Sequence, residues 1–237
     1  MKGAAALARG DKSALTKLQI VRAATRLFLE KGYTATTVKM LAAELDMSPG
    51  NLTFHFPTKE HLLAELNGTL CRYQWDRMGK RENEGVSVTK SLSMEVAAVA
   101  AACEEDPVVR DLYLASYRSS LCVETIRQKN TARAKETFGK GLPMWTEEQF
   151  YAAEMLSSGV LYGVLMTDSS VIPLKTRVVA ALDAMLAIYG LPSATRREEV
   201  AYAMSLDFHR LGQQLIADFR AFAEEDSTQM MWDLVNR

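Results

Sequence analysis

The sequence predicts an all-α protein, and three observations support that prediction. Apolar residues recur every three to four positions along most of the 237 residues, which is the period of one buried helix face. Beyond residue 57, proline and glycine are few and fall between these periodic segments, where they end helices. No segment alternates apolar and polar residues convincingly, as a half-buried strand would. A chain of this length can bury a sizeable core in one large domain or two modest ones.

The first periodic helix is predicted from Lys17 to Lys31. Leu18, Val21 and Phe28 share one face of it, and Gly32 ends it. Residues 1–14 are rich in alanine and carry three basic side chains. We interpret them as an N-terminal arm that is disordered rather than in contact with DNA.

A second, short helix is predicted to follow, and the side chain of Thr36 or Thr37 can cap its start by accepting a backbone N–H bond. Its buried stripe follows the spacing i, i+3, i+4 and i+7 and consists of Val38, Leu41, Ala42 and Leu45. Asp46 follows where the chain must turn sharply. Aspartate tolerates the left-handed conformation better than most residues, so a tight turn is expected here.

Ser48 and Pro49 start a third helix, predicted over 49–55, with a cap followed by proline at the first helical position. Leu52 and Phe56 are expected to face inward. The outward face would then consist of Gly50, Asn51, Thr53, Phe54 and His55. Two short helices around a tight turn form a helix-turn-helix, whose second helix lies in the DNA major groove.

This outward face has the chemistry of a DNA reader. Asn51 can pair with adenine, and Thr53 can meet a thymine methyl group or a phosphate. Gly50 permits close approach of a DNA backbone, and Lys59 stands in the first turn of the next helix, where free N–H groups attract phosphate. The residues predicted to contact DNA are Thr37, Lys39, Ser48, Gly50, Asn51, Thr53, Phe54, His55 and Lys59.

The run from Leu18 to Leu63 resembles the N-terminal domain of the TetR/AcrR family of transcriptional regulators. The matching motifs are A-x-x-L-F-x-x-x-G-Y at 24–33, T-T-V at 36–38, L-A at 41–42 and G-N-L-x-x-H-F-x-x-K-E at 50–60. The chain departs from the family at Asp46, where glycine is usual, and at Thr53, where a phosphate-contacting tyrosine is usual. The resemblance implies a DNA-binding domain over 15–60 and a helical ligand-binding and dimerisation domain over 61–237.

The rest of the chain is predicted to be helical. Helices are expected near 58–82, 88–105, 107–118, 120–139, 146–168, 174–189 and 195–224. The segment 146–168 is apolar on nearly every side and needs cover all round. With 174–189 it is predicted to form half of a four-helix bundle in a homodimer, as the family resemblance also implies, with an ordinary monomer core as the alternative.

A small-molecule pocket in the body is predicted from apolar and amphipathic side chains on adjacent helices. Such pockets are mostly apolar with a few polar anchors, and tyrosine supplies both properties. The candidates are Met94, Cys103, Tyr113, Tyr117, Cys122, Met155 and Tyr162. The alternative for each of them is a place in the ordinary core.

Charge is distributed unevenly along the chain. Residues 1–60 carry nine basic and five acidic side chains, whereas the whole chain has 28 basic and 29 acidic ones. The remaining residues therefore hold 19 basic and 24 acidic side chains, so a basic head precedes an acidic body. Phosphates would attract the head alone.

The sequence gives no support for catalysis, a metal or a cofactor. No H-x-x-x-H or C-x-x-C spacing is present, and there is no G-x-S-x-G, P-loop or dinucleotide fingerprint. Three cysteines far apart suit a reducing cytosol. No signal peptide or membrane span is found, so a cytoplasmic location without a membrane partner is expected.

These observations predict a homodimeric, cytoplasmic DNA-binding transcriptional regulator. We expect a repressor that an unknown small molecule releases from a double-stranded DNA operator. A ligand-independent dimeric DNA-binding protein is the first alternative, and an all-α adaptor or enzyme carrying a helix-turn-helix is the second. The sequence leaves open the operator, the effector, repression against activation, and whether helix 195–224 gates the body or extends a dimer surface.

Overall fold

The computed structural model describes the backbone of residues 2–225 and the side chains of residues 13–222. Within this part of the chain there are eleven α-helices and no strand, which confirms the all-α prediction. The helices are α1 Lys2–Lys31, α2 Val38–Glu44, α3 Pro49–His55, α4 Lys59–Asn83, α5 Val88–Glu105, α6 Pro107–Arg118, α7 Ser120–Phe138, α8 Glu147–Met166, α9 Leu174–Ile188, α10 Ser193–Ser205 and α11 Phe208–Glu225.

The first helix extends further back than its periodic segment. Helix α1 begins at Lys2, so the backbone of the expected arm is part of it. The side chains of residues 1–12 lie outside the described part, as do residues 226–237 at the end of the predicted body. The helix ends at Gly32, whose φ of +90° lies in the region that glycine adopts without strain.

Side-chain caps explain why the body helices start where the sequence predicts. Ser87, Ser119 and Thr146 each accept a backbone N–H bond at the start of α5, α7 and α8. Asp106 accepts from Val108 N at 2.8 Å and begins α6. Each cap satisfies a donor that the helix itself leaves unpaired.

The predicted single helix over 195–224 is wrong, because the chain breaks at Leu206 and Asp207 into α10 and α11. Leu206 is extended, with φ −74° and ψ 147°, and the Asp207 carboxylate accepts the backbone N–H of Arg210 at 3.1 Å. Aspartate therefore ends one helix and caps the next without any proline or glycine. The break lets α11 lie along α5 while α10 packs on α9.

Helix α11 lies very close to α5. A Cβ atom built on Gly212 would lie 2.9 Å from Ala102 N and 3.1 Å from Ala101 C. Both are backbone atoms, which cannot turn away as a side chain can. The contact therefore needs glycine on α11.

The head and the body share one continuous core. Leu41 and Leu52 of the helix-turn-helix belong to the same buried cluster as Leu66 of α4 and Val99 of α5. Helix α4 packs against α1 on one side and against α5, α7 and α11 on the others. A movement of α4 would therefore change the packing of both the head and the body.

Candidate functional site

The helix-turn-helix has the local geometry that its residues predict. Thr37 Oγ1 accepts the backbone N–H of Met40 at 3.2 Å and caps α2. Asp46 has φ +50°, the left-handed conformation that the turn requires. Ser48 Oγ accepts the backbone N–H of Asn51 at 3.1 Å, and Pro49 opens α3.

The two faces of α3 are sharply different. Leu52 and Phe56 are buried in the core, as expected. Gly50 and Asn51 are exposed, and Thr53 and His55 are half-buried. The ring of Phe54 is 82% exposed. The ring is therefore accessible to a partner that approaches this face.

The remaining predicted DNA contacts surround this face. Thr37, Lys39 and Ser48 are all exposed. They lie at or near the starts of α2 and α3, where backbone N–H groups also face outward. These three residues are therefore available to phosphates next to the α3 face.

Thr53 uses its hydroxyl within its own helix. Its Oγ1 donates to the carbonyl oxygens of Pro49 and Gly50, each at 3.1 Å. A phosphate oxygen only accepts hydrogen bonds, so this proton would have to leave the helix to reach one. The methyl group remains as the part of Thr53 suited to contact with a base.

His55 is suited to act as a neutral group. Burial lowers the pKa of its imidazole, and the charge of Lys17 lowers it further. Its ring packs edge-on against Phe54, with 5.3 Å between the centroids.

Lys59 points inward, toward the head. Its Nζ donates to Tyr33 O and Thr36 O, both at 2.8 Å, and lies 4.0 Å from the centre of the Tyr33 ring. Burial lowers the pKa of this ammonium group. Phosphate contact by Lys59 stays a prediction, while the observed bonds tie the start of α4 to the loop before α2.

A carboxylate of the body holds the same loop. Asp111 on α6 accepts the backbone N–H of Thr34 at 2.7 Å and its hydroxyl at 2.5 Å. A Cβ atom on Gly32 would lie 3.0 Å from Asp111 Oδ2, so glycine permits this approach. Helix α6 therefore has a direct polar connection to the DNA-binding head, which the sequence did not reveal.

Two further contacts connect the body to the head. Cys122 on α7 places its Sγ 3.8 Å from Glu60 O in the first turn of α4. Arg220 on α11 donates to Leu29 O of α1 at 3.1 Å. The orientation of the head thus depends on α6, α7 and α11 as well as on α4.

The body contains a cavity of about 100 Å³ between α4, α5, α7, α8 and α9. Met78, Val99, Leu161 and Met185 supply much of its apolar wall. Its polar wall consists of Gln74, Glu95, Tyr117, Asn130, Arg133, Thr137, Glu154, Ser157, Ser158 and Tyr189.

Of the seven pocket candidates from the sequence, Tyr117 lines this cavity and the other six do not. Tyr162 packs against Tyr117, with 5.6 Å between their ring centroids. Tyr113 lines a separate gap of about 20 Å³ next to α11. Cys103 and Cys122 are buried, Met94 is half-buried, and Met155 is largely exposed.

Sequence reasoning missed the charged residues of the cavity, although a signal was present. On α7, Asn130, Arg133 and Thr137 are half-buried and follow buried Ile126 at the 3–4 spacing of one helix face. Polar side chains on such a stripe indicate a polar cavity or a buried network.

One face of α8 and α9 is apolar and exposed. Met155, Leu156 and Met166 project from α8, and Ala180, Ala184 and Ala187 line the neighbouring face of α9. A Cβ atom built on Gly159 or Gly163 would meet nothing within 4 Å. Gly159 and Gly163 therefore do not serve close contacts among the described residues.

The three cysteines are unreactive by their surroundings. Burial raises the pKa of Cys71 to about 11, and it raises the pKa values of Cys103 and Cys122 as well. In the described part of the chain no three acidic, cysteine or histidine side chains cluster in a way that could hold a metal ion. No described helix is long and apolar enough to cross a membrane.

Comparison with known proteins shows which family the sequence of the head is similar to. Residues 20–66 match the family model described as bacterial regulatory proteins, tetR family. The HTH-type transcriptional regulator QacR of Staphylococcus aureus is 36% identical over 66 residues, 28% of this chain and 35% of QacR. HbdR of an Aromatoleum species, also named an HTH-type transcriptional regulator, is 32% identical over 111 residues, 46% of this chain and 47% of HbdR.

The similarity extends only partly into the body. The matched region spans less than half the length of either curated relative. A solved structure of GusR from Salmonella enterica covers 74% of this chain and 96% of its own, at 26% identity and a TM-score of 0.45.

Proposed function

We propose that this chain, whose head matches the tetR family of bacterial regulatory proteins, is a homodimeric DNA-binding repressor released from its operator by a small molecule. The outward face of α3, with Phe54 in solvent above a buried Leu52, is the observation that supports this proposal most strongly. The proposal has three parts: reading of a sequence, pairing of two copies, and response to a ligand.

We assign base recognition to the exposed side of α3. Asn51 offers an amide that pairs with adenine, and Thr53 offers a methyl group that fits thymine. Phe54 adds an apolar surface beside them. Lys39 and the exposed caps of α2 and α3 supply the phosphate contacts that fix the orientation of the helix.

We assign the dimer interface to α8 and α9. Their exposed apolar face, defined by Met155, Leu156, Gly159, Gly163 and Met166 with the α9 alanines, would be covered by the same face of a second copy. The open space at both glycines allows close approach of two helices. One α3 reads too few base pairs for a unique site, so two-fold pairing also meets a physical need.

A response to a ligand requires that at least one helix contacts both the cavity and the head. Helix α4 lines the cavity through Gln74 and Met78 and begins beside Tyr33 of the head. A ligand that prefers the conformation with misplaced α3 helices weakens DNA binding by the ratio of its affinities for the two states.

Substitution of the base-reading residues tests the DNA part of the proposal. After the operator has been located by genome-wide binding, Asn51→Ala and Thr53→Ala should each weaken binding to it by about 1–3 kcal/mol. Fluorescence anisotropy with a labelled duplex measures this loss, and Asn83→Ala at the exposed end of α4 is the control.

Two results would contradict this assignment. Equal losses on operator and unrelated DNA would make Asn51 and Thr53 phosphate contacts instead of base readers. An affinity that does not fall steeply with salt would contradict DNA binding itself, since neutralising phosphates must release counterions.

A further inference from the structure

The cavity in the body carries a charge that the protein does not neutralise. Arg81, Arg133, Glu95 and Glu154 lie in or beside it, and Arg127 also faces Glu154. Arg81 and Glu95 form one pair, with Nη1 and Oε2 3.4 Å apart. Arg133 and Glu154 are left over, since neither belongs to an ion pair among the described residues. Glu95 and Glu154 act on the Arg133 guanidinium through their charges, without a hydrogen bond.

The two leftover groups differ in how they can respond to burial. A guanidinium keeps its charge at any ordinary pH, whereas a carboxyl can lose its charge by taking a proton. Burial raises the pKa of Glu154 to about 7, against the opposing effects of Asn130, Arg133 and Arg127. When Glu154 takes a proton, Arg133 is the charged group of the cavity wall that has no ion pair.

Other polar atoms beside Arg133 also lack partners. Glu95 Oε1, Asn130 Oδ1 and Ser157 Oγ are buried and have no hydrogen-bond partner among the described residues. All three side chains line the cavity. Buried polar groups cost free energy until they are paired. Ser157 Oγ can donate to an anion, as Arg133 can, whereas Glu95 Oε1 and Asn130 Oδ1 only accept and require a donor from a ligand or water.

We propose that the cavity binds a compact organic carboxylate, with the carboxylate on the Arg133 guanidinium and an apolar body against Met78, Val99, Leu161 and Met185. This inference rests on the proposed function, since it names the chemical class of the effector. A guanidinium matches a carboxylate with two parallel hydrogen bonds. The volume of about 100 Å³ suits a body no larger than one ring or a short alkyl chain.

A route from solvent leads past the same arginine. A surface recess lined by Trp75, Gly79, Glu82, Val88 and Glu136 shares Met78, Arg133 and Thr137 with the cavity. Arg133 therefore stands where the recess and the cavity meet. It is the basic residue of a recess that also carries the carboxylates of Glu82 and Glu136.

Calorimetric titration of the full chain without DNA tests the inference. The probes are benzoate, phenylacetate and hexanoate, each compared with its neutral amide and with benzylamine as a cation of similar size. At least one carboxylate should bind about tenfold or more tightly than its amide, and benzylamine should not bind. If none of the carboxylates is preferred over its amide, or if benzylamine binds more tightly, the inference is overturned.

Variants then locate the anion. Arg133→Gln should weaken binding of the preferred carboxylate by about tenfold to a hundredfold and leave the affinity for its amide unchanged. Arg133→Lys should retain part of the affinity. Arg118→Gln, at the exposed end of α6, is the control and should bind as the original chain does. Undiminished binding by Arg133→Gln, with its fold verified by thermal unfolding, would overturn the assignment.

The dependence on pH gives an independent readout. The probes and Arg133 stay charged between pH 6 and pH 8, so the titrating group in the cavity is Glu154. It is faced by Asn130, Arg133 and Arg127 of α7, Tyr117 of α6, Cys71 of α4 and Tyr189 after α9. Affinity should fall as pH rises through about 7, because ionised Glu154 repels the ligand, and Glu154→Gln should remove this dependence.

These measurements separate the two proposals. Binding of a carboxylate does not require an operator, so it can succeed where operator binding fails. Conversely, a chain that binds an operator and shows no carboxylate preference would keep its function as a DNA-binding regulator and lose this effector class.

Discussion

Lys59 shows how one residue can have a role that its position in the sequence does not reveal. Its place in the first turn of α4 predicts a phosphate contact, because helix N-termini attract anions. The side chain instead bonds to Tyr33 O and Thr36 O. Sequence gives the position of the residue but not the direction of a long flexible side chain.

Substitution of methionine for Lys59 and for Lys39 should therefore affect different properties, the stability of the fold in the first case and DNA binding in the second. We expect Lys59→Met to lower the free energy of unfolding by about 1–2 kcal/mol, because two carbonyl groups lose a charged donor. Lys39→Met should change it by less than about 0.5 kcal/mol, since Lys39 is exposed, and should instead reduce the salt slope of operator binding by about 1. Urea unfolding and salt-dependent anisotropy measure the two effects, and an unchanged stability of Lys59→Met would refute the role assigned to it.

Asp46 carries a conformational cost in the turn between α2 and α3. With φ +50°, it has the left-handed conformation that a side chain usually disfavours. Asp46→Gly should raise the free energy of unfolding by about 0.5 kcal/mol, and Asp46→Ala should lower it by a similar amount. Both are measured by urea unfolding at one protein concentration. A loss of stability in Asp46→Gly would show that the carboxylate itself stabilises the turn.

At the scale of whole helices, local signals were sufficient for most of the fold. Caps such as Ser87 and Asp106 and the turn at Gly190 act within a few residues, so helix bounds can be predicted from sequence. The break at Leu206 and Asp207 was missed because aspartate, unlike proline, ends a helix only when its surroundings favour this. Whether the polar stripe of α7 meets core or cavity depends on α5 and α8, which are distant in sequence.

The close packing of α11 on α5 can be tested with a pair of glycine substitutions. Gly212→Ala should lower the free energy of unfolding by about 1–3 kcal/mol, because its Cβ meets the backbone of Ala101 and Ala102. Gly79→Ala in α4 is the control, since a Cβ there meets nothing within 4 Å. It should be neutral or stabilise by up to about 1 kcal/mol through helix propensity. Similar losses in both variants would contradict the close contact.

At the scale of the whole molecule, the continuous core argues that the head is not an independent reader. The loop from Gly32 to Thr34 is held by Asp111 of α6, and Arg220 of α11 holds the end of α1. A change in body packing therefore reaches the head through several helices. Such shared packing is the physical basis on which a ligand can shift a two-state equilibrium.

The proposed dimer can be tested through the open side of α8. Gly163→Glu places a charge on the exposed face of α8 and should convert the dimer to a monomer without unfolding it, because glutamate favours a helix more than glycine does. Ala132→Glu on the exposed side of α7 is the control. Light scattering after size-exclusion chromatography measures the mass, and a Gly163→Glu variant that remains dimeric would place the interface elsewhere.

The inert thiols have a practical consequence. Because Cys71, Cys103 and Cys122 are all buried with raised pKa values, maleimide or nitroxide reagents should leave them untouched. An Ala35→Cys substitution at an exposed position in the α1–α2 loop can thus be labelled in an otherwise unaltered chain. Double electron–electron resonance between two such labels would report the spacing of the paired heads, with and without a carboxylate in the body.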